Sequence, residues 1–254
     1  MKTWVSAAGL LGILLCFNSC GNNKKSHATG SGLSRQDSLD IARLDSTKKK
    51  LEPLQKYREN LKGPAAASGA ALTRGAEISG SEAPAEFESI ITEIDGWKSA
   101  VSKAGTDSTT DFGPLMTRGK IIDATQKFMN ATYDRHAHLI YYYDHYDKGT
   151  TRYDNDYYFK DGSLVYYEHK VSEHNGGSAH LVQDEFYLSG GKVIYAFRDE
   201  GTDADKGKSI NFVTVSRYQL NGDATGYVGN AFELFMKDYK VLLEEELEAS
   251  IYVH

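Results

Sequence analysis

Cysteine is almost absent from this chain, whose 254 residues contain only Cys16 and Cys20. If Cys16 is removed with an N-terminal signal segment, Cys20 is the only thiol, which excludes an intrachain disulfide and a zinc site built from thiolates. Basic residues are fewer than acidic ones and the net charge is −6, whereas a nucleic-acid partner would favour a basic surface. After residue 20 no apolar run approaches the roughly 20 residues that span a bilayer.

The N-terminus has the parts of a secretory signal. Lys2 precedes a mostly apolar stretch, residues 4–17, whose length of about 14 residues suits a signal and is too short for a membrane span. Residues 17–20, Phe-Asn-Ser-Cys, resemble the lipobox of bacterial lipoproteins, although the first two differ from its usual residues. This resemblance implies that residues 1–19 are cleaved off and that a diacylglycerol is attached to Cys20.

Lipid on Cys20 would decide where the protein resides. Several acyl chains on one residue anchor a protein to a membrane almost permanently. Because Gly21 is not an aspartate, the resemblance to sorted lipoproteins implies delivery to the outer membrane of a Gram-negative cell envelope, facing the periplasm. The alternative is an ordinary secretion signal that is cut elsewhere and leaves Cys20 free.

Composition divides the next part of the chain into helical and linker segments. Residues 20–36 are rich in Asn, Lys, Ser and Gly, which predicts a flexible tether. Residues 37–62 are predicted to be helical because four leucines recur at heptad-like spacing, with Pro53 breaking or kinking the helix near Glu52. Residues 63–83, rich in Ala, Gly and Ser, are predicted to be a low-complexity linker.

Residues 84–105 carry a clearer helical pattern. Their large apolar residues recur at intervals of three and four and fall on one helix face: Phe87, Ile90, Ile91, Ile94, Trp97 and Val101. Residues 114–131 are ambiguous, and their apolar spacing fits a helix slightly better than a strand. The chain thus has helical segments before its tyrosine-rich region.

From about residue 135 the apolar period changes to two and tyrosine dominates. Fourteen of the 17 tyrosines lie between Tyr133 and Tyr227. Residues 156–166 align without gaps on residues 185–195, at an offset of 29, and residues 217–223 form a fainter third copy. Each copy has the pattern of a β-hairpin, a strand followed by a glycine-bearing turn and a return strand. The copies predict an antiparallel meander over about residues 135–228.

An amphipathic helix is predicted to close the chain over residues 230–250. Asn230 suits an N-cap and Glu233 stands three residues later, as in a capping box. One face of this helix is apolar and should cover one side of the sheet: Phe232, Phe235, Met236, Tyr239, Leu243 and Leu247. The sequence therefore predicts an α+β domain over residues 106–254, an antiparallel β-meander covered on one face by a C-terminal helix and preceded by N-terminal helical segments.

From about Lys120 to Ser250 the chain resembles a group of bacterial envelope lipoproteins of uncharacterised function. Their shared pattern is a strand with paired aromatic residues, a glycine-bearing turn, and a return strand that begins with lysine and apolar residues. Here it is residues 186–194, Phe-Tyr-Leu-Ser-Gly-Gly-Lys-Val-Ile, while the earlier copy has Ser163 in place of the lysine. The resemblance implies the meander and the terminal helix, and it supplies no catalytic residues.

Six of the eight histidines lie between His136 and His180, and such a cluster can bind a metal ion. His136 and His138 would share one face of a strand, and the others could add ligands from neighbouring strands. No HExxH motif or other fixed ligand spacing is present. The alternative is that these are strand and loop histidines in contact with water, and no cofactor is predicted.

The tyrosine-rich sheet is the best candidate for a binding surface. Aromatic rings on an open sheet face can stack on glycan rings or on the side chains of a protein partner. Five strand residues are candidates for such a face: Tyr141, Tyr143, Tyr157, Tyr166 and Tyr195. The alternative is that both sides of the sheet are covered, the second by the N-terminal helices.

Two functions from different classes follow from these patterns. The first is a lipid-anchored, non-catalytic binding or scaffolding module of the cell envelope, attached to the membrane through Cys20 and with a protein or glycan partner. The second is a metal-dependent or other enzyme that acts on envelope polymers through the histidines of residues 136–180. Nothing in the composition favours a nucleic-acid partner for either.

Overall fold

The structure, a computed structural model, describes residues 35–61, 71–79, 83–104, 115–122, 127–175, 178–203 and 214–251. The chain divides into two compact units, residues 1–39 and 40–254. In the first unit the described residues are 35–39, where a helix begins. The predicted signal segment and Cys20 lie outside the described residues, as does most of the predicted tether.

Within the described ranges the chain forms three helices and nine strands. In chain order they are α1 (Arg35–Leu61), β1 (Thr73–Glu77), α2 (Glu88–Ala104), β2 (Met116–Ile122), β3 (Lys127–Tyr133), β4 (Leu139–Lys148), β5 (Thr151–Lys160), β6 (Ser163–Asn175), β7 (Ser178–Ser189), β8 (Lys192–Asp203), β9 (Thr214–Asn221) and α3 (Ala224–Ile251). None of the described helices is both long enough and apolar enough to cross a membrane.

All nine strands belong to one antiparallel sheet with the order β1-β9-β8-β7-β6-β5-β4-β3-β2. From β2 to β9 each strand pairs with the next one in the chain, which makes a meander, and β1 adds to the outer side of β9. With α3 following the last strand, this architecture confirms the predicted α+β meander with a C-terminal helix.

The 29-residue repeat corresponds to two hairpins with the same geometry. The β5–β6 hairpin turns at Asp161 and Gly162, and the β7–β8 hairpin turns at Gly190 and Gly191. All four residues have positive φ, between 51° and 80°, as a type I′ turn requires. Each hairpin also has a register shift at the same repeat position, after Tyr158 or Tyr187. The predicted hairpins are therefore confirmed for the first two copies. The third copy, residues 217–223, is wrong as a hairpin, because β9 is followed by α3 and not by a return strand.

Helix α1 runs across the tips of these two hairpins. A Cβ atom built on Gly162 would lie 2.8 Å from the Cβ of Pro53, and one built on Gly191 would lie 2.9 Å from the Cβ of Asn60. Pro53 and Asn60 are seven residues apart, a distance of about 10 Å along a helix. The turns of the two neighbouring hairpins are two strands apart in the sheet, which at about 4.8 Å per strand is a similar distance. Helix α1 continues through Pro53, so the prediction of a break near Glu52 is wrong.

We expect Gly191→Ala to lower the free energy of unfolding more than Gly190→Ala does. The expected difference is about 1–3 kcal/mol, the typical cost of overpacking. Both residues have positive φ, so alanine strains the backbone at either position. Only at Gly191 does the new methyl group meet α1, because a Cβ at Gly190 has nothing within 4 Å. Urea denaturation of both variants measures the difference, and equal losses would show that α1 does not press on the turn.

One face of the sheet carries the main core and is covered by α1 and α3. The two helices contribute buried side chains to it: Leu54, Tyr57, Leu61, Phe232, Phe235, Tyr239 and Leu243. The Tyr57 hydroxyl donates a hydrogen bond of 2.8 Å to the carbonyl of Leu164 and so ties α1 to β6. Of the four heptad leucines, Leu44 is 61% exposed and lies outside this core. We call this side of the sheet the α3 face.

Helix α3 begins six residues earlier than the sequence predicts, at Ala224. Asp223 is its N-cap, because the Asp223 Oδ1 accepts a 2.8 Å hydrogen bond from the backbone N–H of Gly226. Asn230 lies inside the helix and Glu233 pairs with Arg58 of α1, so the predicted capping box is wrong. Two glycines in the first turns conceal the true start, since glycine is a poor helix former.

The opposite side of the sheet, the α2 face, is partly covered by α2. Ile91 and Ile94 of this helix pack on three buried aromatic residues of the sheet, Tyr166, Tyr187 and Phe197. The helix itself lies where its periodic pattern predicts. The sequence left open whether the second face is free or covered by the N-terminal helices, and in this part of the sheet α2 covers it.

Two segments that were not expected to be strands join the sheet. Residues 114–131 contain β2 and most of β3 rather than a helix. Apolar residues on both faces of β3 conceal its period of two, because Met129 is buried in the main core while the neighbouring Phe128 stacks against His145 on the other side. The predicted linker 63–83 contains β1, which is mostly exposed and is held by backbone pairing with β9.

Candidate functional site

The five tyrosines proposed for a binding surface lie on both faces of the sheet. Tyr157 is 2% exposed on the α3 face, and Tyr166 is 1% exposed beneath α2. Tyr141, Tyr143 and Tyr195 are half-buried on the α2 face. The five residues therefore do not share one open face.

The histidines are also spread out. His136 and His138 lie in the turn between β3 and β4 rather than on a strand, with ring centres 6.0 Å apart. The other four have different positions on the sheet: His145 on the α2 face, His169 on the α3 face, and His174 and His180 exposed at the far ends of their strands. Among the residues that the structure describes, no three His, Cys, Asp or Glu side chains are grouped to hold a metal ion.

A cleft of about 350 Å³ opens on the α3 face, between the N-terminal half of α3 and strands β3 to β6. The sheet side of this cleft is lined by seven residues: Lys127, Asp144, Tyr146, Asn155, Tyr157, Tyr167 and His169. On the helix side the lining includes Tyr227, Asn230 and Leu234. This α3 cleft is the strongest candidate for a functional site, because its floor consists of buried polar groups.

A row of polar residues crosses the sheet beneath the cleft. Asp144, Asn155, His169, Asp184 and Arg198 are directly opposite one another on β4 to β8. Asp144 is 2% exposed, Asn155 9% and Asp184 3%. Since burying polar groups is costly unless they are hydrogen-bonded, such a row on a core-facing side needs a network of partners.

Hydrogen bonds connect the residues on the floor of the cleft. Asn155 donates from Nδ2 to the Asp144 carboxylate at 2.9 Å. The Oδ1 of Asn155 accepts from the Tyr167 hydroxyl at 2.8 Å and lies 2.9 Å from Nδ1 of His169. Next in the row, Arg198 donates two hydrogen bonds of 2.6 and 2.8 Å to Asp184. These contacts hold the polar side chains in fixed orientations under the cleft.

Charges at the edge of the cleft are paired. Burial raises the pKa of Asp144, while Lys127 acts in the opposite direction from 3.5 Å away. Burial lowers the pKa of Lys127, but Asp144 and Asp238 outweigh burial and the net pKa is raised. Burial also lowers the pKa of His169. The floor therefore places an amine, a carboxyl group and an imidazole close together, with the pKa of Asp144 raised overall and that of His169 lowered.

Aromatic rings form the walls. Tyr146 stacks on Tyr153 with ring centres 4.8 Å apart and planes 9° apart, and Tyr153 in turn stacks on His169. On the helix side, Tyr227 stacks on Phe186 at 5.4 Å. Flat apolar walls around a few fixed polar groups are typical of sites that bind small ligands.

Sequence reasoning missed this site, although it leaves a signal. Residues two apart on a strand share a face, and on β4 Asp144 lies between Tyr142 and Tyr146. Asn155 likewise lies between Tyr153 and Tyr157 on β5. A polar residue at a core-facing position between two aromatic residues is the feature that identifies the floor of the cleft.

A larger cavity of about 630 Å³ lies beside the β3–β4 turn, lined in part by α1, Trp97, His136 and His138. Its polar groups are mainly at the surface, and the side chain of His138 is 69% exposed. The carboxylate of Asp134 stabilises the turn itself, because its Oδ1 accepts 2.8 Å hydrogen bonds from the backbone N–H groups of His136 and His138. This cavity therefore lacks the buried polar floor of the α3 cleft.

The α2 face carries a second polar row, in which Asp156, Glu168 and Glu185 are directly opposite one another on β5 to β7. The Tyr141 hydroxyl donates to Asp156 at 2.5 Å, and the Tyr166 hydroxyl lies 2.8 and 2.5 Å from the carboxylates of Glu168 and Glu185. Burial raises the pKa of Asp156 to about 6. These carboxylates have internal donors and do not indicate a ligand.

Comparison of this chain with protein-family models, with curated proteins and with solved structures finds no match.

Proposed function

We propose that this protein is a lipid-anchored, non-catalytic binding module of the bacterial cell envelope, and that the α3 cleft is where it binds its ligand. The observation that carries the binding role is the hydrogen-bonded row of buried Asp144, buried Asn155 and half-buried His169 beneath an open cleft with aromatic walls. Placing polar groups in a core is costly, and a ligand that uses their remaining hydrogen-bonding capacity accounts for their position.

The lipobox-like residues 17–20 support the envelope location, since they match the signal of proteins that are acylated at cysteine. A lipid anchor holds a binding module at a membrane surface without a membrane-spanning segment. The enzyme alternative gains no support from the described histidines, which lie on different faces and at different ends of the sheet.

Blocking the cleft tests the binding role. Asn230 is exposed on α3 and lines the cleft, so we expect Asn230→Trp to fill its mouth without disturbing the core. Saturation-transfer NMR on the full chain in detergent, with a panel of neutral saccharides, muropeptides and phospholipid headgroups, should give a signal with at least one class. We expect Asn230→Trp to weaken that binding about tenfold or more, equivalent to about 1.4 kcal/mol.

Lys237→Trp is the matched control for this experiment. Lys237 is exposed on the same helix and is not part of the lining of the cleft, so a tryptophan there should leave the signal unchanged. A panel without any bound member, or a signal that Asn230→Trp does not reduce, would contradict the proposed binding role of the cleft.

A further inference from the structure

The tautomer of His169 follows from the polar row. Asp144 forms an ion pair with Lys127, 3.5 Å away, and the carboxylate of such a pair only accepts hydrogen bonds. Asn155 must therefore turn its NH₂ group toward Asp144 and its Oδ1 toward His169, 2.9 Å from Nδ1. Because a carbonyl oxygen cannot donate, the proton of the neutral imidazole is on Nδ1 and the Nε2 atom carries a bare lone pair.

This Nε2 atom is an unused acceptor at the cleft. His169 lines the cleft, and no described residue forms a hydrogen bond with its Nε2. The side-chain atoms of the described residues that are both fully buried and without a partner do not include this Nε2. Since Nε2 has no partner, it is not fully buried. A ligand in the cleft can therefore complete the row by donating a hydrogen bond to His169.

The charges around the cleft favour a neutral donor. Asp144, Asp223 and Lys127 line the cleft, but Lys127 is already paired with Asp144 and Asp238, so the described lining offers an anionic ligand no unpaired cation. A cationic ligand would compete with Lys127, whose Nζ already lies 5.9 Å from the centre of the Tyr146 ring and is paired with Asp238. Hydroxyl groups on an uncharged ring combine donor capacity with faces that pack on aromatic walls.

Given the binding role proposed for the α3 cleft, we propose that its ligand is a neutral saccharide, one of whose hydroxyl groups donates a hydrogen bond to Nε2 of His169 while the sugar ring packs against the tyrosine walls. His169 is thus the residue that sets specificity. An ionised carboxylate or a fully ionised phosphate at the same position offers no proton to Nε2 and finds no unpaired cation among the described residues that line the cleft.

Two substitutions of His169 separate its roles. Asn at this position keeps a donor near the place of Nδ1, and so keeps the contact with Asn155, but removes the acceptor at the place of Nε2. Gln places an amide oxygen near Nε2 and keeps the acceptor. Because one neutral hydrogen bond is worth about a tenfold change in affinity, we expect His169→Asn to weaken saccharide binding about tenfold and His169→Gln to retain most of it.

The probes are glucose and glucuronate, which differ in one carboxylate, together with a set of neutral disaccharides, titrated against the full chain by NMR. We expect the neutral sugars to bind and glucuronate to bind at least about tenfold more weakly. Preferential binding of glucuronate or of a phospholipid headgroup over neutral sugars would overturn the proposal of a neutral saccharide ligand. The proposed binding role of the cleft would still stand. Loss of all binding in the panel would overturn both.

The pH dependence provides a readout that a purely structural role of His169 would not change. Protonation of Nε2 removes the acceptor, so affinity should hold at neutral pH and fall in acid, once the pH drops below the lowered pKa of His169. The charged groups that act on this imidazole come from three strands: Asp184, Arg198 and Asp154. We expect His169→Gln to remove the acid loss, and a loss of equal size in that variant would contradict the role of Nε2.

Discussion

Replacing Phe235 with alanine is expected to lower the free energy of unfolding by about 3–5 kcal/mol, the typical cost of removing a buried aromatic ring. Phe235 is fully buried, with an exposed fraction of 0%, and its ring centre lies within 4.8 to 5.4 Å of those of five others: Tyr142, Tyr157, Phe159, Phe232 and Tyr239. Domains are stable by only about 5–15 kcal/mol, so this one side chain is a large part of the total.

Denaturant unfolding followed by circular dichroism measures this loss. Leu234→Ala is the matched control, because Leu234 immediately precedes Phe235 in the same helix and is 64% exposed. The double substitution His136→Ala with His138→Ala should also change the midpoint little, since both side chains are exposed. A severe loss in the histidine variant together with a silent Phe235→Ala would contradict the packing of α3 on the sheet.

Cys20→Ser is expected to abolish lipid attachment and to release the protein from the membrane fraction. The expectation follows from the lipobox-like residues 17–20, because acylation occurs on the cysteine thiol and serine cannot replace it. Multiple acyl chains hold a protein at a membrane almost irreversibly, so the change in distribution should be nearly complete. Labelling cells with a clickable fatty acid and fractionating them measures both effects.

Cys16→Ser is the control for this substitution. Cys16 lies in the apolar stretch that we expect to be removed with the signal, so its loss should leave the labelling unchanged. Undiminished labelling of the Cys20→Ser protein would contradict the proposal that this protein is a lipoprotein, and loss of labelling in Cys16→Ser would point to a defect in export instead.

The parts of this fold that the sequence predicts are those that local chemistry determines. Two glycine-bearing turns between aromatic strands specify the β5–β6 and β7–β8 hairpins, because positive φ and a period of two are encoded within about ten residues. Strand β1 shows the opposite case. It is a mostly exposed edge strand whose place in the sheet is set by the backbone ladder with β9, more than a hundred residues later in the chain.

The candidate site was partly within reach of the sequence. Asp144, Asn155 and His169 each stand where the strand alternation points into the core, and this feature is local. Their meeting depends on register, since Asn155 must be opposite both of the others. A shift of one residue in either pairing would move the set to the other face, so the network could be recognised only once the pairing was known.

The contact between α1 and the hairpin tips has an evolutionary consequence. Repeated hairpins arise readily by duplication of a gene segment, and a further 29-residue copy would widen this sheet by two strands. The turn of this new hairpin would find no residue of α1 to contact unless the helix also lengthened by seven residues. Seven is the interval between Pro53, which contacts Gly162, and Asn60, which contacts Gly191. Sheet width and helix length are therefore expected to change together in any lineage that keeps this packing, in steps of one hairpin and one heptad.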